Sequence, residues 1–319
     1  MSVASNISGI LSVDKAIRCK QLLSTIKQLQ QDELMDCFSF FMGNDPIQEF
    51  DFSPYQATKP FVLVGTSIFG AIALAGHLGE KLSTPPQVVI VDLSHQVARS
   101  WDLIKAYFKT STETQPEQFV NGFCKMLQKN KSNEFSMDGD SQDLHPFLLG
   151  LIDQCGFLRF KQLVTDALIL KQSWGDEATF RHIRNVYQDM DIVAYPSNII
   201  HSIGDLKTQK EVAHCVHILQ PVFSIQTNLE QGEPSQLHVM TDHSIKAIMK
   251  TLGPGPFLEA DDKLAFEKEF LTVSPNSTGV KWTSESAPGL LFYQPAHNTG
   301  DSKVETDCGA TTITSAYEV

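Results

Sequence analysis

The chain is short of basic charge, of paired cysteines and of long apolar runs, and each shortage removes a class of function. Its 25 Lys and Arg residues stand against 37 Asp and Glu, a formal charge of -12. Such a surface repels phosphate backbones and anionic lipid headgroups, so nucleic acid is not an expected partner. The six cysteines (Cys19, Cys37, Cys124, Cys155, Cys215, Cys308) are scattered without a Cys-x-x-Cys pair, which argues for reduced thiols rather than a zinc site or a disulfide framework. His214-x-x-His217 has no third ligand at a defined spacing, and Asp138-Gly139-Asp140 lacks the glycine and terminal glutamate positions of an EF-hand, so no metal is expected. A Gly-x-Ser-x-Gly nucleophile elbow is also missing. No apolar run nears the roughly 20 residues that cross a bilayer, and Met1 to Leu11 lack the basic and apolar regions of a secretory signal. The expectation is a cytoplasmic chain without a membrane span.

What is present is enough apolar material for a large core: 42% of 319 residues are hydrophobic. Residues 1–58 read as a helical N-terminal extension, with Ile17, Leu22, Leu23, Ile26 and Leu29 at helical spacing and Gly43-Asn44-Asp45-Pro46 as a stop after a second helix. From 59 to 293 strands and helices alternate, the pattern of a mostly parallel sheet covered on both faces, an α/β doubly wound domain. The expected strands are Phe61–Val64, Val88–Asp92, Ala167–Leu170, Asp191–Tyr195 and Val222–Gln226, with Leu237–Met240 and Gly289–Tyr293 as final antiparallel strands. Helices are expected over Phe69–Leu82, Gln96–Tyr107, Glu177–Tyr187 and Lys207–Leu219. Residues 112–145 form an insertion, a helix over Pro116–Lys129 followed by a polar, mobile loop, and the tail 294–319 has the composition of a disordered segment.

The most informative stretch runs from Phe61 to Asp92. A buried-strand run meets Gly65-Thr66-Ser67-Ile68-Phe69-Gly70, and a second apolar run, Val88-Val89-Ile90-Val91, ends in Asp92. Glycines permit a tight turn between strand and helix, the helix start offers free N–H groups, and an acid at the tip of the next strand can accept hydrogen bonds from ribose hydroxyls. Ser67 stands where the dinucleotide fingerprint has its second glycine. The implied ligand is a nucleoside-containing cofactor.

This layout resembles the class I S-adenosylmethionine-dependent methyltransferases, a Rossmann-like family, over about Pro60 to Tyr293. The resemblance implies that Gly65, Thr66, Ser67 and Gly70 shape the cofactor loop, that Asp92 binds ribose and that Asp176, in Trp174-Gly175-Asp176 after the third strand, borders adenine. It also implies that Tyr195 and Asn198, in Tyr195-Pro196-Ser197-Asn198 after the fourth strand, face the reacting group. The acceptor, a small molecule or a protein, is not implied. One departure is clear: the family usually carries an acid two residues before the first loop glycine, and this chain has Leu63.

Two other readings stay open. An NAD(P)-dependent oxidoreductase uses the same loop and Asp92 and has no need of an acid at 63. A non-catalytic interaction protein keeps the fold and binds a partner, for which the C-terminal tail ending in Tyr317-Glu318-Val319 offers a segment that a PDZ-type groove can capture. The small and acidic residues of that tail also resemble the export signals of bacterial effectors released by type IV secretion.

Overall fold

Runs such as Phe61-Val62-Leu63-Val64 and Val88-Val89-Ile90-Val91 are apolar at every position, so neither face of the strand tolerates water and both must be covered. The computed structural model, which describes residues 17–18, 41–42, 45–47, 50–130, 141–228, 236–271 and 290–292, shows how they are covered. The N-terminal helices apart from Ile17 and Arg18, the loop 131–140 and the tail 294–319 lie outside the described residues. Arg18 is helical and donates to both carboxylate oxygens of Asp189, at 2.6 and 2.7 Å.

The sheet has seven strands in the order β3-β2-β1-β4-β5-β6-β7. They are β1 (Phe61–Gly65), β2 (Gln87–Val91), β3 (Leu168–Leu170), β4 (Asp191–Ser197), β5 (Phe223–Asn228), β6 (Gln236–Met240) and β7 (Leu290–Phe292). The first five are parallel, β6 runs antiparallel to β5, and β7 runs antiparallel to β6. This is a Rossmann-like α/β fold. The chain leaves β1 toward β2 on one side and returns through β4 on the other, which puts a topological switch point between β1 and β4.

On one face lie α1 (Phe69–Leu78), α2 (His95–Thr110), α3 (Pro116–Asn130), α4 (Ser141–Cys155) and α5 (Phe157–Asp166), packed on Leu63, Ile90, Val193 and Ile225. The other face carries α6 (Glu177–Val186), the single turn α7 (Ile199–Ser202), α8 (Leu206–Leu219), α9 (Ile245–Leu252) and α10 (Ala260–Phe266), packed on Val62, Val64, Val89 and Ala194. Nine of the ten residues of α1 are buried, because it is sandwiched between the sheet and the inserted helices. Its alanines and glycines follow from that placement, as a helix apolar all round must be buried all round. Among the described residues, no helix is long and apolar enough to cross a membrane.

Several boundaries differ from the sequence pattern. α1 ends at Leu78 rather than Leu82, because a side chain at Gly79 would come within 2.8 Å of Pro86 and 2.9 Å of the Ala75 carbonyl, and the chain turns there. β4 continues through Pro196 to Ser197, since an irregularity in its pairing with β5 spares the proline a ladder bond and Ser197 adopts φ 56°. The insertion resumes as helix at Ser141, five residues before Pro146, and Gly156 at φ 81° separates α4 from α5.

Candidate functional site

The loop after β1 turns at Ser67, whose φ of 67° lies in the left-handed region that non-glycine residues seldom occupy. Three bonds hold it there. The Ser67 N–H donates to Asp92 Oδ2 at 3.2 Å, the Thr66 hydroxyl donates to the same oxygen at 2.7 Å, and Trp101 Nε1 donates to the Ser67 carbonyl at 3.1 Å. The loop and the tip of β2 are thus one hydrogen-bonded unit. Asp92 Oδ1 accepts from the Ser94 N–H at 2.8 Å, whereas the cap of α2 is Ser94 itself, whose hydroxyl accepts from the Val97 N–H. Burial pushes the Asp92 carboxyl above its ordinary value, and the donors from Ser94, Thr66 and Ser67 offset only part of that.

The two loop glycines are explained by close approaches within the chain. A Cβ on Gly65 would sit 3.3 Å from Tyr195 Cδ1, and one on Gly70 would sit 3.2 Å from the Met42 carbonyl and 3.4 Å from the Tyr195 hydroxyl. The N-terminal segment around Met42 therefore lies against the start of α1. Phe41 supplies the carbonyl that accepts the Phe69 N–H at 2.9 Å, and its ring packs 6.3 Å from that of Phe69. Tyr195, 2% exposed and beside Gly65 in the ladder, donates its hydroxyl to Asp45 Oδ2. Burial, with the Asp45 charge, holds this phenol well above its ordinary pKa.

Gly65, Thr66, Ser67, Gly70, Asp92 and Tyr195 are thus brought together at the switch point. Asn198 sits at the end of β4, where its carbonyl accepts the Ser202 N–H and its side chain makes no capping bond to α7. Asp176 belongs to the loop after β3, where its carboxylate accepts the Thr179 hydroxyl at the start of α6. Trp174, beside it, is a core ring: Nε1 donates to the Val91 carbonyl at 2.8 Å and the ring lies 4.9 Å from that of Phe180.

Sequence reasoning missed two residues here. Asp45 reads as part of a helix stop, yet it reaches Tyr195 across 150 positions. Gln172 follows β3 with its N–H on the Leu170 carbonyl, the same acceptor that the Asp92 N–H uses, and it is fully buried with neither amide atom partnered. A polar residue after a short strand was the only signal it offered.

A second buried polar assembly occupies the other side of the switch point. Gln226 of β5 pairs with His238 of β6 on the face covered by α7 to α9, and its Nε2 donates to Ser224 at 3.0 Å. His201 of α7 and Gln209 of α8 complete it, all four of these residues being at most 4% exposed. Burial lowers the pKa of His201, and burial with the neighbouring His201 brings His238 down to about 4. No protein-family profile and no curated protein matches this sequence.

Proposed function

We propose that the switch-point crevice binds S-adenosylmethionine and that the protein is a transferase acting on a small-molecule or protein acceptor. The observation that carries this reading is the sign of charge around the loop. Asp45 and Asp92 flank Gly65 to Gly70, neither has a Lys, Arg or His partner among the described residues, and the first N–H of α1 is taken by the Phe41 carbonyl. A dinucleotide places its pyrophosphate at this helix start, where these groups would oppose it. A nucleoside that carries positive charge and no phosphate suits them. The sheet adds a second argument: dinucleotide folds repeat the βαβαβ unit in parallel on both sides of the switch, whereas here β6 turns back antiparallel on β5.

In this proposal Gly65, Thr66, Ser67 and Gly70 shape the loop and Asp92 takes the ribose. A carboxylate has about four acceptor positions, and Asp92 spends one at Oδ1 and two at Oδ2, so room remains for a hydroxyl. Asp176 or the unpartnered amide of Gln172 borders the adenine, and Asn198 stands at the acceptor side. Tyr195 works through its bond to Asp45. The activated methyl group comes with the cofactor's sulfonium, so the protein's task is to orient a nucleophile and exclude water.

The chain's own donors around Asp92 favour the second reading, a non-catalytic Rossmann-like protein whose crevice is satisfied internally. Thermal shift with S-adenosylhomocysteine and with NAD separates the readings. At about 100 times its dissociation constant a ligand adds roughly 2.7 kcal/mol of stability. A rise with S-adenosylhomocysteine alone is expected. A rise with NAD alone, or with neither, removes the transferase proposal.

A further inference from the structure

We propose that Asp45 is a ligand-binding residue of the crevice, where it receives the ammonium group of an amino-acid-bearing nucleoside; the inference rests on the cofactor reading above. Asp45 Oδ2 accepts the Tyr195 hydroxyl, but Oδ1 is buried and has no hydrogen-bond partner. A carboxylate oxygen withdrawn from water and left without a donor is costly, and the cost is relieved by a cation or a charged N–H donor. No Lys, Arg or His among the described residues supplies one to this side chain.

The surroundings fix where the missing donor must be. Tyr195 is buried, with 2% exposure, and its hydroxyl would lie 3.4 Å from a Cβ on Gly70, so the Asp45 carboxylate is held beside the start of α1 at the end of β1. The segment that carries it is pinned on both sides. Phe41 is 1% exposed and bonded to Phe69, and Ile47 is 4% exposed with its N–H on the Asp45 carbonyl at 2.8 Å. Asp45 is thus a placed acid. It also bears on the departure at Leu63: a charge at that fully buried strand position, among apolar neighbours, would be costly, and the N-terminal segment brings one to the loop from outside the sheet.

An α-amino acid attached to a nucleoside offers what the site needs, a small cation with several N–H donors at one end and a ribose for Asp92 at the other. A nicotinamide dinucleotide has no such ammonium.

Calorimetric titration with two probes tests the assignment. S-Adenosylhomocysteine carries the amino-acid ammonium; 5′-methylthioadenosine has the same nucleoside thioether without it. The parent should bind the first more tightly, and Asp45→Asn should weaken it tenfold or more while leaving 5′-methylthioadenosine within twofold. Tyr195→Phe, which removes the donor that orients the carboxylate, should produce a smaller loss with the same selectivity, and it serves also if Asp45→Asn has a lowered melting temperature without ligand. If Asp45→Asn and Tyr195→Phe weaken both probes equally, or leave S-adenosylhomocysteine untouched, the ammonium assignment is wrong while the cofactor reading stands. If neither probe binds the parent, the cofactor reading fails and the assignment falls with it.

Discussion

The β1 loop and the β5–β6 assembly, on the two sides of the switch point, treat their buried polar groups in opposite ways. In the β1 loop, Asp92 accepts from Thr66, Ser67 and Ser94, and both backbone groups of Ser67 are tied down, one to Asp92 and the other to Trp101. On the β4–β6 side, Gln209 and Gln226 each leave a buried amide oxygen without a partner, and two imidazoles are held neutral at close quarters. A fully satisfied network rigidifies its surroundings, while a partly satisfied one stores cost that a ligand, a water or a proton can relieve. The β1 loop is thus built to hold a shape, and the β4–β6 side to respond.

The largest break in that contrast should come from a methyl group at Gly255. Its Cβ would press on the His201 backbone carbonyl and come within 2.8 Å of Gln209 Nε2. Gly255→Ala should cost about 3 kcal/mol in urea unfolding, the upper end for overpacking, whereas Gly65→Ala, 3.3 Å from the edge of the Tyr195 ring, should cost about 1 kcal/mol. Equal losses would show that the two sides are equally tight.

Asp92→Asn tests the β1 loop. Asparagine keeps an acceptor for the loop, so the fold should persist, but affinity for S-adenosylhomocysteine should fall ten- to more than a hundredfold, about 1.5–3 kcal/mol. Unchanged affinity in calorimetry takes Asp92 out of the site.

Acid should strike the responsive side. The pKa of His238 is about 4 in the fold against 6.5 for the free side chain, so the unfolded chain binds the proton more tightly. The stability this neutral ring contributes is complete above pH 6.5 and is lost as the pH falls toward 4, amounting to about 2 kcal/mol by pH 5. The lowered values of His77, His201 and His243 act in the same direction. Asp92, whose raised value favours the fold as pH falls, opposes them at lower pH. Melting temperature should drop between pH 7 and pH 5, and His238→Gln should flatten the curve; an unaltered slope means that other groups set it.

The smallest effect is expected at Asn198. Its side chain makes no capping bond to α7, so Asn198→Ala should cost less than the roughly 0.5–2 kcal/mol of a lost helix cap. Turnover, once an acceptor is in hand, should fall by more than cofactor affinity does. A stability loss above 1 kcal/mol with normal turnover would assign the residue to the turn alone.

How much was legible follows from the range of each interaction. The β1 loop could be read because its signal is local: a five-residue apolar strand, a turn residue and a small-residue helix adjoin in sequence. Ser67 in place of glycine looked like a weakened fingerprint, and the fold shows the serine in the left-handed conformation, with Asp92 and Trp101 holding its N–H and carbonyl. The helix over Phe157–Asp166 is not separable from β3 by pattern, because a single residue, Ala167, divides them. The histidine assembly was invisible, since His201, Gln226 and His238 come from separate elements.

The sequence by itself determined the order of the strands, the parallel and buried character of the first five, and the positions of Asp92 and the β1 loop at strand ends. These depend on residue patterns a few positions long and on the exclusion of water from continuous apolar runs. Only the tertiary structure decided that Asp45 meets Tyr195, that Met42 lies over Gly70, and that the register of β6 on β5 puts His238 opposite Gln226. Contacts across such separations are selected by the packing of whole layers, and no local pattern encodes them.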